Sequence, residues 1–395
     1  MKIVSIVGAR PQFIKLAPLV KAIQELTKSN FKLNIKHLII HTGQHYDYEM
    51  NKIFFDELGI PEPDYNLEVG SGSHGWQTGE IIKRAEEVLI KEQPEWVLVY
   101  GDTNSTLSGA LAAAKLHIPV AHVEAGLRSY NKKMPEEINR VLTDYSSNVL
   151  FCPTENAVRN LKKEGFINII NKGKLISSSF INKLLLTNSH IPIVINVGDI
   201  MYDALSINLK IAEMKSSILE KFKLKVKGYY LATIHRAENT DDKNRLKNIL
   251  EAFIELSKEK TVIFPVHPRT KKTLTTFNLS LLTFNKVYLI DPVSYFDMLI
   301  LQKNADKILT DSGGMQKEAY FLKVPCISLR DETEWIETVK SGWNVLVGAN
   351  KQKIIDATQN FRSKGHYRNY FGDSNTSNKI LKIITGLLQT GSIFI

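Results

Sequence analysis

The stretch that decides the fold is "IVSIVGARPQFIKLAPLVKAI", residues 3–23. It begins with a mostly β-branched apolar run that ends at Gly8, and continues with apolar residues spaced as on one face of a helix. A strand, a glycine and a helix in this order are typical of a Rossmann-like unit. The glycine-rich turn that binds a dinucleotide pyrophosphate is missing, and Arg10, Pro11 and Lys15 stand in its place. The stretch therefore predicts an α/β unit with two cations near its first strand-to-helix corner.

Strand-like and helix-like segments alternate along the rest of the chain. Apolar runs that predict buried strands lie at 3–7, 35–41, 96–100, 119–123, 148–152, 229–234, 262–266, 287–290, 308–310 and 326–329. Segments of helical period, such as 77–92 and 104–116, separate them. Nearly continuous apolar strands that alternate with helices are typical of parallel sheets covered on both faces. We therefore predict an α/β protein with two Rossmann-like domains facing across a cleft.

The domain boundaries are predicted from the same pattern. Residues 1–180 form the N-terminal domain, 196–375 the C-terminal domain, and 376–395 a final helix with a tail. The segment 167–195 interrupts the pattern, because it is rich in Asn and Ser and only weakly periodic. It is either an interdomain linker with a surface excursion or an insertion with a short helix, and the sequence leaves both open.

The composition describes a folded chain with a basic surface. Of its 395 residues 43% are hydrophobic and 23% are charged, and the formal net charge is +10. This charge would suit a nucleic-acid partner, but the basic residues are scattered instead of clustered. Several Arg residues fall within or beside polar motifs, and a guanidinium is suited to forked contact with phosphate or carboxylate. We expect a small anionic ligand and no nucleic acid.

The cysteines and the N-terminus bear on the location of the protein. Cys152 and Cys326 have no Cys-x-x-Cys partner, so neither a disulfide scaffold nor structural zinc is expected. The chain starts with a strand instead of a signal peptide, and it has no run of about 18 uncharged apolar residues. We expect a cytoplasmic protein that does not enter a membrane.

A candidate anion site lies in the segment 310–318, TDSGGMQKE. Ser312, Gly313 and Gly314 stand between a predicted strand and a predicted helix. Free backbone N–H groups and the helix dipole favour an anion at such a helix start. The alternative is an ordinary serine N-cap.

Three further residues extend this candidate site. His267 and Arg269 follow a neighbouring predicted strand and favour phosphate as the bound group. Glu318 lies in the helix that Gly313 begins, where its carboxylate could accept hydrogen bonds from a ribose diol.

The first half contributes acids. Asp102 and Glu124 each follow a predicted strand, and Glu136 follows Pro135 at the start of a predicted helix. Asp102 and Glu136 could be plain helix caps. Glu124, directly after an apolar strand, has no obvious local donor. Grouped acids near a basic partner are the arrangement that produces acid and base roles, and His235 in the second half is the expected partner, unless it is a hydrogen-bonded histidine at a strand end.

Three enzyme classes are not indicated. We predict no metal site, and the Gly-x-x-x-x-Gly-Lys-Ser/Thr motif of P-loop ATPases is absent. The Gly-x-Ser-x-Gly motif of serine hydrolases is absent as well.

Nine segments together resemble the non-hydrolysing UDP-N-acetylglucosamine 2-epimerase family. They occur in the family's order along nearly the whole chain: GARPQFIKLAPL, HTGQHYD, YGDTNSTL, HVEAGLRS, PEEINR, TIHRAEN, PVHPR, TDSGGMQKEA and RDETE. The resemblance implies the GT-B type of fold, with two Rossmann-like domains, and a homodimer. It also implies inversion at C2 of a UDP-linked 2-acetamido sugar by anti elimination of UDP to a 2-acetamidoglucal and re-addition. Because this route exchanges protons and not hydrides, no cofactor is expected.

The resemblance assigns roles by motif position. The catalytic residues it implies are Asp102, Glu124, Glu136 and His235. The residues expected to bind the UDP-sugar and its diphosphate are Arg10, Lys15, Arg128, His267, Arg269, Ser312, Gly313, Gly314 and Glu318. Gln44 is in place for an allosteric site found in bacterial relatives. Which carboxylate removes the C2 proton and which returns it stays open.

Some residues depart from the family pattern. Ala9 and Gln12 replace a Thr and a Glu, and the family's TERPE appears as Thr333–Glu337, TEWIE. These variants resemble the branch that acts on UDP-2,3-diacetamido-2,3-dideoxyglucuronate, a precursor of O-antigen or other surface polysaccharide. Both UDP-GlcNAc and the diacetamido-uronate are therefore open as substrate.

Other functions were weighed against the epimerase. A GT-B glycosyltransferase would share the UDP site but needs fewer carboxylates. A hydrolysing relative would release UDP and the free sugar. A nucleic-acid-binding protein is suggested only by the net charge of +10.

Overall fold

The opening stretch folds as predicted, with Lys2–Val7 as strand β1 and Arg10–Ser29 as helix α1. The computed structural model describes residues 1–29, 34–44, 55, 57–170, 192–279, 287–363 and 367–388. The chain divides into two compact units. Unit 1 comprises Met1–Ser206 and Asn369–Ile395, and unit 2 comprises Ile207–Arg368.

The strands are short and lie close to the predicted apolar runs. They are β1 Lys2–Val7, β2 Lys36–His41, β3 Tyr65–Asn66, β4 Trp96–Tyr100, β5 Val120–Val123, β6 Val149–Cys152, β7 Asn168–Ile170, β8 Ile193–Asn196, β9 Tyr229–Thr233, β10 Thr261–Pro265, β11 Val287–Ile290, β12 Lys307–Thr310, β13 Cys326–Ser328 and β14 Asn344–Leu346.

The helices fall between the strands. They are α1 Arg10–Ser29, α2 His74–Glu92, α3 Asn104–Lys115, α4 Pro135–Tyr145, α5 Glu155–Lys163, α6 Ile200–Lys215, α7 Ile218–Lys221, α8 Ala237–Thr240, α9 Lys243–Ser257, α10 Pro268–Thr276, α11 Tyr295–Asn304, α12 Gly313–Phe321, α13 Ile336–Lys340, α14 Lys351–Asn360 and α15 Thr376–Leu388.

Each unit is built on its own parallel sheet. The sheet of unit 1 has the order β3-β2-β1-β4-β5-β6-β8-β7, and that of unit 2 has the order β11-β10-β9-β12-β13-β14. All strand pairs in both sheets are parallel. Central strands such as β4 and β9 are buried along their whole length, because helices cover both faces of such sheets. The predicted α/β class with two parallel-sheet units is confirmed.

Four strands were not predicted. β3, β7, β8 and β14 have two to four residues each, and such short runs carry too little periodicity to be recognised. Strands β7 and β8 flank the segment 167–195 and pair with each other. The interior of that segment, 171–191, lies outside the described residues, so neither interpretation of it is tested.

The last helix belongs to the first unit. α15 packs against α1, and Asp203 caps its start: the carboxylate accepts the backbone N–H of Thr376 at 3.0 Å and of Ser377 at 2.7 Å. Burial raises the pKa of Asp203, although these bonds act against the shift. The division between the units therefore falls at Ser206, within α6, and at Arg368, instead of at the predicted 180, 196 and 375.

None of the helices in the described part of the chain is both long enough and apolar enough to cross a membrane.

Candidate active site

Each sheet reverses its strand order beside its first strand, β1 in unit 1 and β9 in unit 2. In unit 1 the chain passes from β1 to β2 and β3 and then returns to β4, on the other side of β1. In unit 2 it passes from β9 to β10 and β11 and then returns to β12, on the other side of β9. In open parallel sheets, ligands bind beyond the carboxyl ends of the strands at such switch points. The residues that follow β1, β4, β9 and β12 are therefore the first candidates.

Gln12 holds the end of β1 to the end of β4. Its side-chain oxygen accepts the backbone N–H of Gly8 at 2.8 Å and of Ala9 at 3.0 Å, and its Nε2 donates to the Tyr100 carbonyl at 3.1 Å. These bonds fix the start of α1, and with it Arg10, beside the loop that follows β4.

Lys15 and Glu124 form a buried ion pair at this switch point. Lys15 Nζ lies 2.6 Å from Glu124 Oε1, and the side chains are 8% and 7% exposed. Glu124 has a φ of +75°, which is uncommon outside glycine and which often marks functional positions. Gly101 packs on the pair, because a Cβ there would lie 2.8 Å from Lys15 Nζ. The short contact with Lys15 therefore fixes the orientation of the Glu124 carboxylate.

Asp102 is held by helix α4. Arg140 donates from Nη2 to Asp102 Oδ2, and from Nη1 to Glu137 Oε2 at 2.8 Å. Asn139 Nδ2 donates to the Asp102 carbonyl at 3.0 Å. The Asp102 side chain is 28% exposed, so it is oriented by the protein and still accessible to a ligand.

Glu136 and Glu137, both in the first turn of α4, have different surroundings. Glu137 is buried and accepts the backbone N–H of Ser129 at 2.9 Å as well as the Arg140 bond. It therefore holds the loop before α4. Glu136 is half-buried, and helical spacing places it on the face that carries Arg140, the residue that reaches Asp102.

Arg128, expected at the ligand, lies in a buried ion network. Its Nη1 is 2.7 Å from Asp144 Oδ2 and its Nη2 is 2.6 Å from Glu164 Oε2, and the side chain is 1% exposed. Burial acts to lower the pKa of Arg128, but the hydrogen bond with Glu164 and the charges of Asp144 and Glu164 raise it above its ordinary value. Asp144 also accepts the Gly126 N–H at 3.1 Å. The network thus supports the turn after β5. This structural role explains why a guanidinium is present here without a bound ligand.

Gln44, the candidate allosteric residue, lies after β2. Its side-chain oxygen accepts the Ser105 N–H at 3.1 Å and hydroxyl at 2.6 Å, and its carbonyl accepts Gln77 Nε2 at 3.2 Å. These bonds join it to α2 and α3. The rest of its motif, 45–47, lies outside the described residues, and an allosteric role stays a prediction.

In unit 2, Asp311 organises the loop after β9. Its buried carboxylate accepts the backbone N–H of His235 and of Arg236, both at 3.1 Å, and Asn239 Nδ2 at 3.1 Å. His235 Nδ1 lies 3.4 Å from Asp311 Oδ1, and the imidazole is 38% exposed. A carboxylate that faces Nδ1 favours a proton there, which makes Nε2 the reactive nitrogen.

The start of helix α12 combines the two predicted alternatives. Ser312 is its N-cap and accepts the Met315 N–H at 3.4 Å. A Cβ at Gly313 would overlap the Glu334 carboxylate, whereas the nearest atom to a Cβ at Gly314 would be Ser312 Oγ at 3.8 Å. The serine cap is thus present, and Gly314 leaves the backbone donors of this helix start accessible.

Glu334 was not singled out from the sequence. Its Oε2 is 2.8 Å from Arg330 Nη1, and its Oε1 is 3.8 Å from Arg236 Nη2. It therefore links two guanidinium groups beside the start of α12, where positive charge favours an anion. Its sequence signals were the RDETE motif and the overlapping TEWIE segment, and neither indicates this contact.

Glu318 is buried within unit 2. Its Oε1 accepts the Tyr295 hydroxyl at 3.1 Å and its Oε2 accepts Gln302 Nε2 at 2.7 Å. Each carboxylate oxygen has a second lone pair, so the expected bonds to ribose hydroxyls stay a prediction.

His267 and Arg269 lie at the start of α10. The His267 ring centroid is 5.8 Å from that of His235, and its Nδ1 accepts the Arg269 N–H at 3.2 Å. The Arg269 guanidinium pairs with Asp241 at 2.7 Å on the surface. The structure therefore brings His267 to His235 and directs the Arg269 side chain to Asp241.

The two switch points support different chemistry. Asp102 and Glu124 in unit 1 are oriented carboxylates, which can remove and return protons. His235 and the start of α12 in unit 2 offer an imidazole and backbone donors, which can bind an anion. Within the ranges that the structure describes, no three His, Cys, Asp or Glu side chains gather as a metal site would require.

The chain is similar to known proteins over almost its whole length. A family model described as UDP-N-acetylglucosamine 2-epimerase matches residues 25–385. A UDP-N-acetylglucosamine 2-epimerase homolog of Methanococcus maripaludis is 56% identical over 391 residues, which are 98% of this chain and 100% of the relative. A UDP-2,3-diacetamido-2,3-dideoxy-D-glucuronate 2-epimerase of Pseudomonas aeruginosa is 46% identical over 360 residues, or 91% of this chain and 92% of that protein.

The fold is similar to a solved structure as well. The crystal structure of Methanocaldococcus jannaschii UDP-GlcNAc 2-epimerase, in complex with UDP-GlcNAc and UDP, matches with a TM-score of 0.84 and 48% identity. The match covers 98% of this chain and 99% of that one.

Proposed function

This chain belongs to the UDP-N-acetylglucosamine 2-epimerase family, and we propose that it inverts the configuration at C2 of a UDP-linked 2-acetamido sugar. The observation that carries the proposal is the Lys15–Glu124 ion pair, buried beside Gly101 at the switch point of the first sheet. A buried carboxylate that a neighbouring side chain holds in a fixed orientation can take a proton from carbon.

The proposed reaction moves one proton and one leaving group in each direction. A carboxylate removes the proton from C2, its electron pair forms the C1–C2 double bond, and the C1–O bond to UDP breaks. UDP then adds back through a phosphate oxygen at C1, while a second acidic group, in its carboxylic acid form, gives its proton to the opposite face of C2 and becomes a carboxylate. We assign the proton transfers to Asp102, Glu124 and Glu136 with the help of His235, and no electrons are exchanged with a cofactor.

Stabilisation of the departing UDP is assigned to donors and cations. The helix start at Ser312–Gly314 would bind phosphate oxygens through backbone N–H groups, with Arg10 and His267 as further donors. Glu318 would accept bonds from the ribose. Because negative charge grows on the diphosphate as C1–O breaks, such donors stabilise the transition state.

UDP-GlcNAc and UDP-ManNAc are the proposed substrate pair. The relatives at 56% and 48% identity carry the UDP-GlcNAc name. The diacetamido-glucuronate is the second candidate, because the relative named for it is 46% identical. An O-antigen or other surface polysaccharide would consume either product.

Deuterium exchange tests the proposal. The protein is incubated in heavy water with UDP-GlcNAc or with the diacetamido-uronate analogue, and without any acceptor. We expect deuterium at C2 and both C2 epimers, faster with UDP-GlcNAc. No deuterium at C2 with either compound would contradict the proposal and would leave a glycosyltransferase as the explanation.

A second readout separates the hydrolysing alternative. Free UDP is measured in the same mixtures and is expected to stay far below the amount of epimer. Stoichiometric UDP with free sugar would identify a hydrolase.

We further propose a homodimer. Ile138, Leu142 and Tyr145 lie on one face of α4 and are 49%, 46% and 57% exposed, and an exposed apolar helix face is typical of an interface. Sedimentation should give a dimer that Leu142→Glu converts to monomer, and a monomeric wild-type protein would contradict this.

A cytoplasmic location is proposed on separate grounds. Cys152 and Cys326 are buried as free thiols, which suits a reducing compartment. Burial raises the pKa of the Cys326 thiol to about 12. Fractionation of the source cells tests the location.

A further inference from the structure

His122 is a buried polar residue inside an otherwise apolar strand. It lies in β5 with 0% exposure, between Ala121 and Val123. Its Nδ1 is 2.7 Å from Asp144 Oδ1, and its Nε2 is 2.7 Å from the Gly101 carbonyl oxygen. Both ring nitrogens are therefore at hydrogen-bond distance from an oxygen.

Neither oxygen has a proton to give. A backbone carbonyl only accepts. Asp144 accepts Arg128 Nη1 at 2.7 Å and the Gly126 N–H at 3.1 Å on its other oxygen, so it serves as an acceptor in this ion pair. Both contacts of the imidazole are then donations, which requires a proton on each ring nitrogen.

The charges of the network agree with a cationic imidazole. Arg128 contacts two carboxylates, Asp144 and Glu164. One guanidinium balances one of them, and an imidazolium at His122 balances the other. A neutral His122 would leave the Asp144 carboxylate, which is 0% exposed, to share the single charge of Arg128 with Glu164, which is 25% exposed, and an unbalanced buried charge is costly.

The network joins the three segments that carry the candidate acids. Gly101, whose carbonyl His122 binds, precedes Asp102 and packs on the Lys15–Glu124 pair. Gly126, held by Asp144, closes the turn that begins at Glu124. Asp144 itself lies in α4, the helix of Glu136.

We propose that His122 is a positioning residue with a proton on each ring nitrogen, whose two donated bonds fix the positions of helix α4 and of the loops of Asp102 and Glu124 for the C2 chemistry. It does not touch the substrate. The catalytic part of this inference rests on the proposed epimerase function, whereas the protonation state does not.

The first experiment measures the wild-type protein with ¹⁵N-labelled histidine rings. We expect two one-bond N–H correlations from the His122 ring at neutral pH, assigned by their loss in His122→Gln. A single protonated nitrogen would overturn the proposal, whether or not the enzyme epimerises sugars. His37 is the matched control: burial lowers the pKa of His37 to about 4, so one of its ring nitrogens should be without a proton.

The second experiment measures C2 exchange in His122→Gln, with His37→Gln as the matched variant. We expect kcat of the first to fall about tenfold to a hundredfold, since small displacements of catalytic groups have effects of that size. KM for the UDP-sugar should stay within about threefold, because the UDP-binding groups are untouched. An unchanged kcat would overturn the positioning role.

The outcomes separate this inference from the proposed function. If the wild-type protein shows no C2 exchange, the epimerase proposal fails and the ring spectrum still decides the charge of His122. If His122→Gln does not fold, the His122 ring signals are assigned by elimination, with each of the other histidines replaced in turn, and the spectrum of the wild-type protein decides the proposal.

Discussion

The switch points of the two sheets occupy equivalent places and present different chemistry. After β1, β4 and β5, unit 1 places charged side chains in contact with one another, as in Lys15 with Glu124 and Arg140 with Asp102. After β9 and β12 in unit 2, the buried carboxylate of Asp311 accepts hydrogen bonds from two backbone N–H groups and one side-chain amide. The same topology therefore supports a site for moving protons in one unit and a site for holding an anion in the other.

The largest expected effect is the loss of a candidate proton-transfer group in unit 1. Glu124→Gln and Asp102→Asn should each lower the rate of C2 deuterium exchange about a hundredfold to ten-thousandfold, the usual contribution of a general acid or base. UDP affinity, measured by calorimetry, should change little, because neither variant alters a group that we propose to bind the diphosphate.

The control is Glu80→Gln, which removes the same charge from a surface pair with Arg84. It should leave exchange unchanged. Wild-type exchange in both Glu124→Gln and Asp102→Asn would remove the proton-transfer role from these two carboxylates of unit 1 and with it the contrast between the units.

The next effect concerns the glycine that packs on the ion pair. Gly101 and Gly59 have similar φ values of +68° and +64°, but a Cβ at Gly59 would have no neighbour within 4 Å. Alanine at either position strains the backbone by about 1 kcal/mol. Only Gly101→Ala also pushes on Lys15, so its exchange rate should fall about tenfold to a hundredfold. Equal exchange rates in the two variants would show that the packing of Gly101 on the pair is unimportant.

A smaller effect is expected at the anion site of unit 2. Gly313→Ala places a methyl group against the Glu334 carboxylate and should lower the free energy of unfolding by about 1–3 kcal/mol. Gly314→Ala meets only Ser312 Oγ at 3.8 Å and should be neutral or slightly stabilising. Urea denaturation gives both values. Similar values for the two variants would contradict the tight packing of this helix start.

The smallest effect concerns acid stability in unit 1. Burial lowers the pKa of His37 from 6.5 to about 4, so the unfolded state binds a proton that the folded state does not. The free energy of unfolding should therefore fall as pH drops from 6.5 to 4, by about 1 kcal/mol after allowance for partial exposure. In His37→Gln this part of the fall should be absent.

The measurement is urea denaturation at several pH values, with exposed His117→Gln as the control. An identical pH profile for wild type and His37→Gln would show that the burial of His37 is not a source of acid sensitivity.

Much of the fold was predictable because its signals are local. Runs such as WVLVY at β4 are apolar throughout. A strand needs apolar side chains on both sides when helices cover both faces of its sheet. The anion and acid candidates were found for a related reason: Asp102, Glu124 and Ser312 each directly follow a recognisable strand. Two-residue strands such as β3 carry no comparable signal.

The remaining parts of the site depend on contacts between distant residues. His122 and Asp144 are 22 positions apart, and neither a polar residue in a strand nor an aspartate in a helix indicates its partner. Arg128 shows the converse case, because its motif suggested a ligand, whereas Asp144 and Glu164 account for its charge. Which distant residues contact each other decides such roles, and a single sequence does not show these contacts.

The capping of α15 by Asp203 has a consequence for synthesis on the ribosome. Unit 1 is interrupted by the whole of unit 2, so its final helix leaves the ribosome only after residues 207–368 have been made. Until then the face of α1 that α15 covers stays open and the Asp203 carboxylate lacks its partners at Thr376 and Ser377. We therefore expect the first unit to begin folding early and to be completed last, as a discontinuous domain.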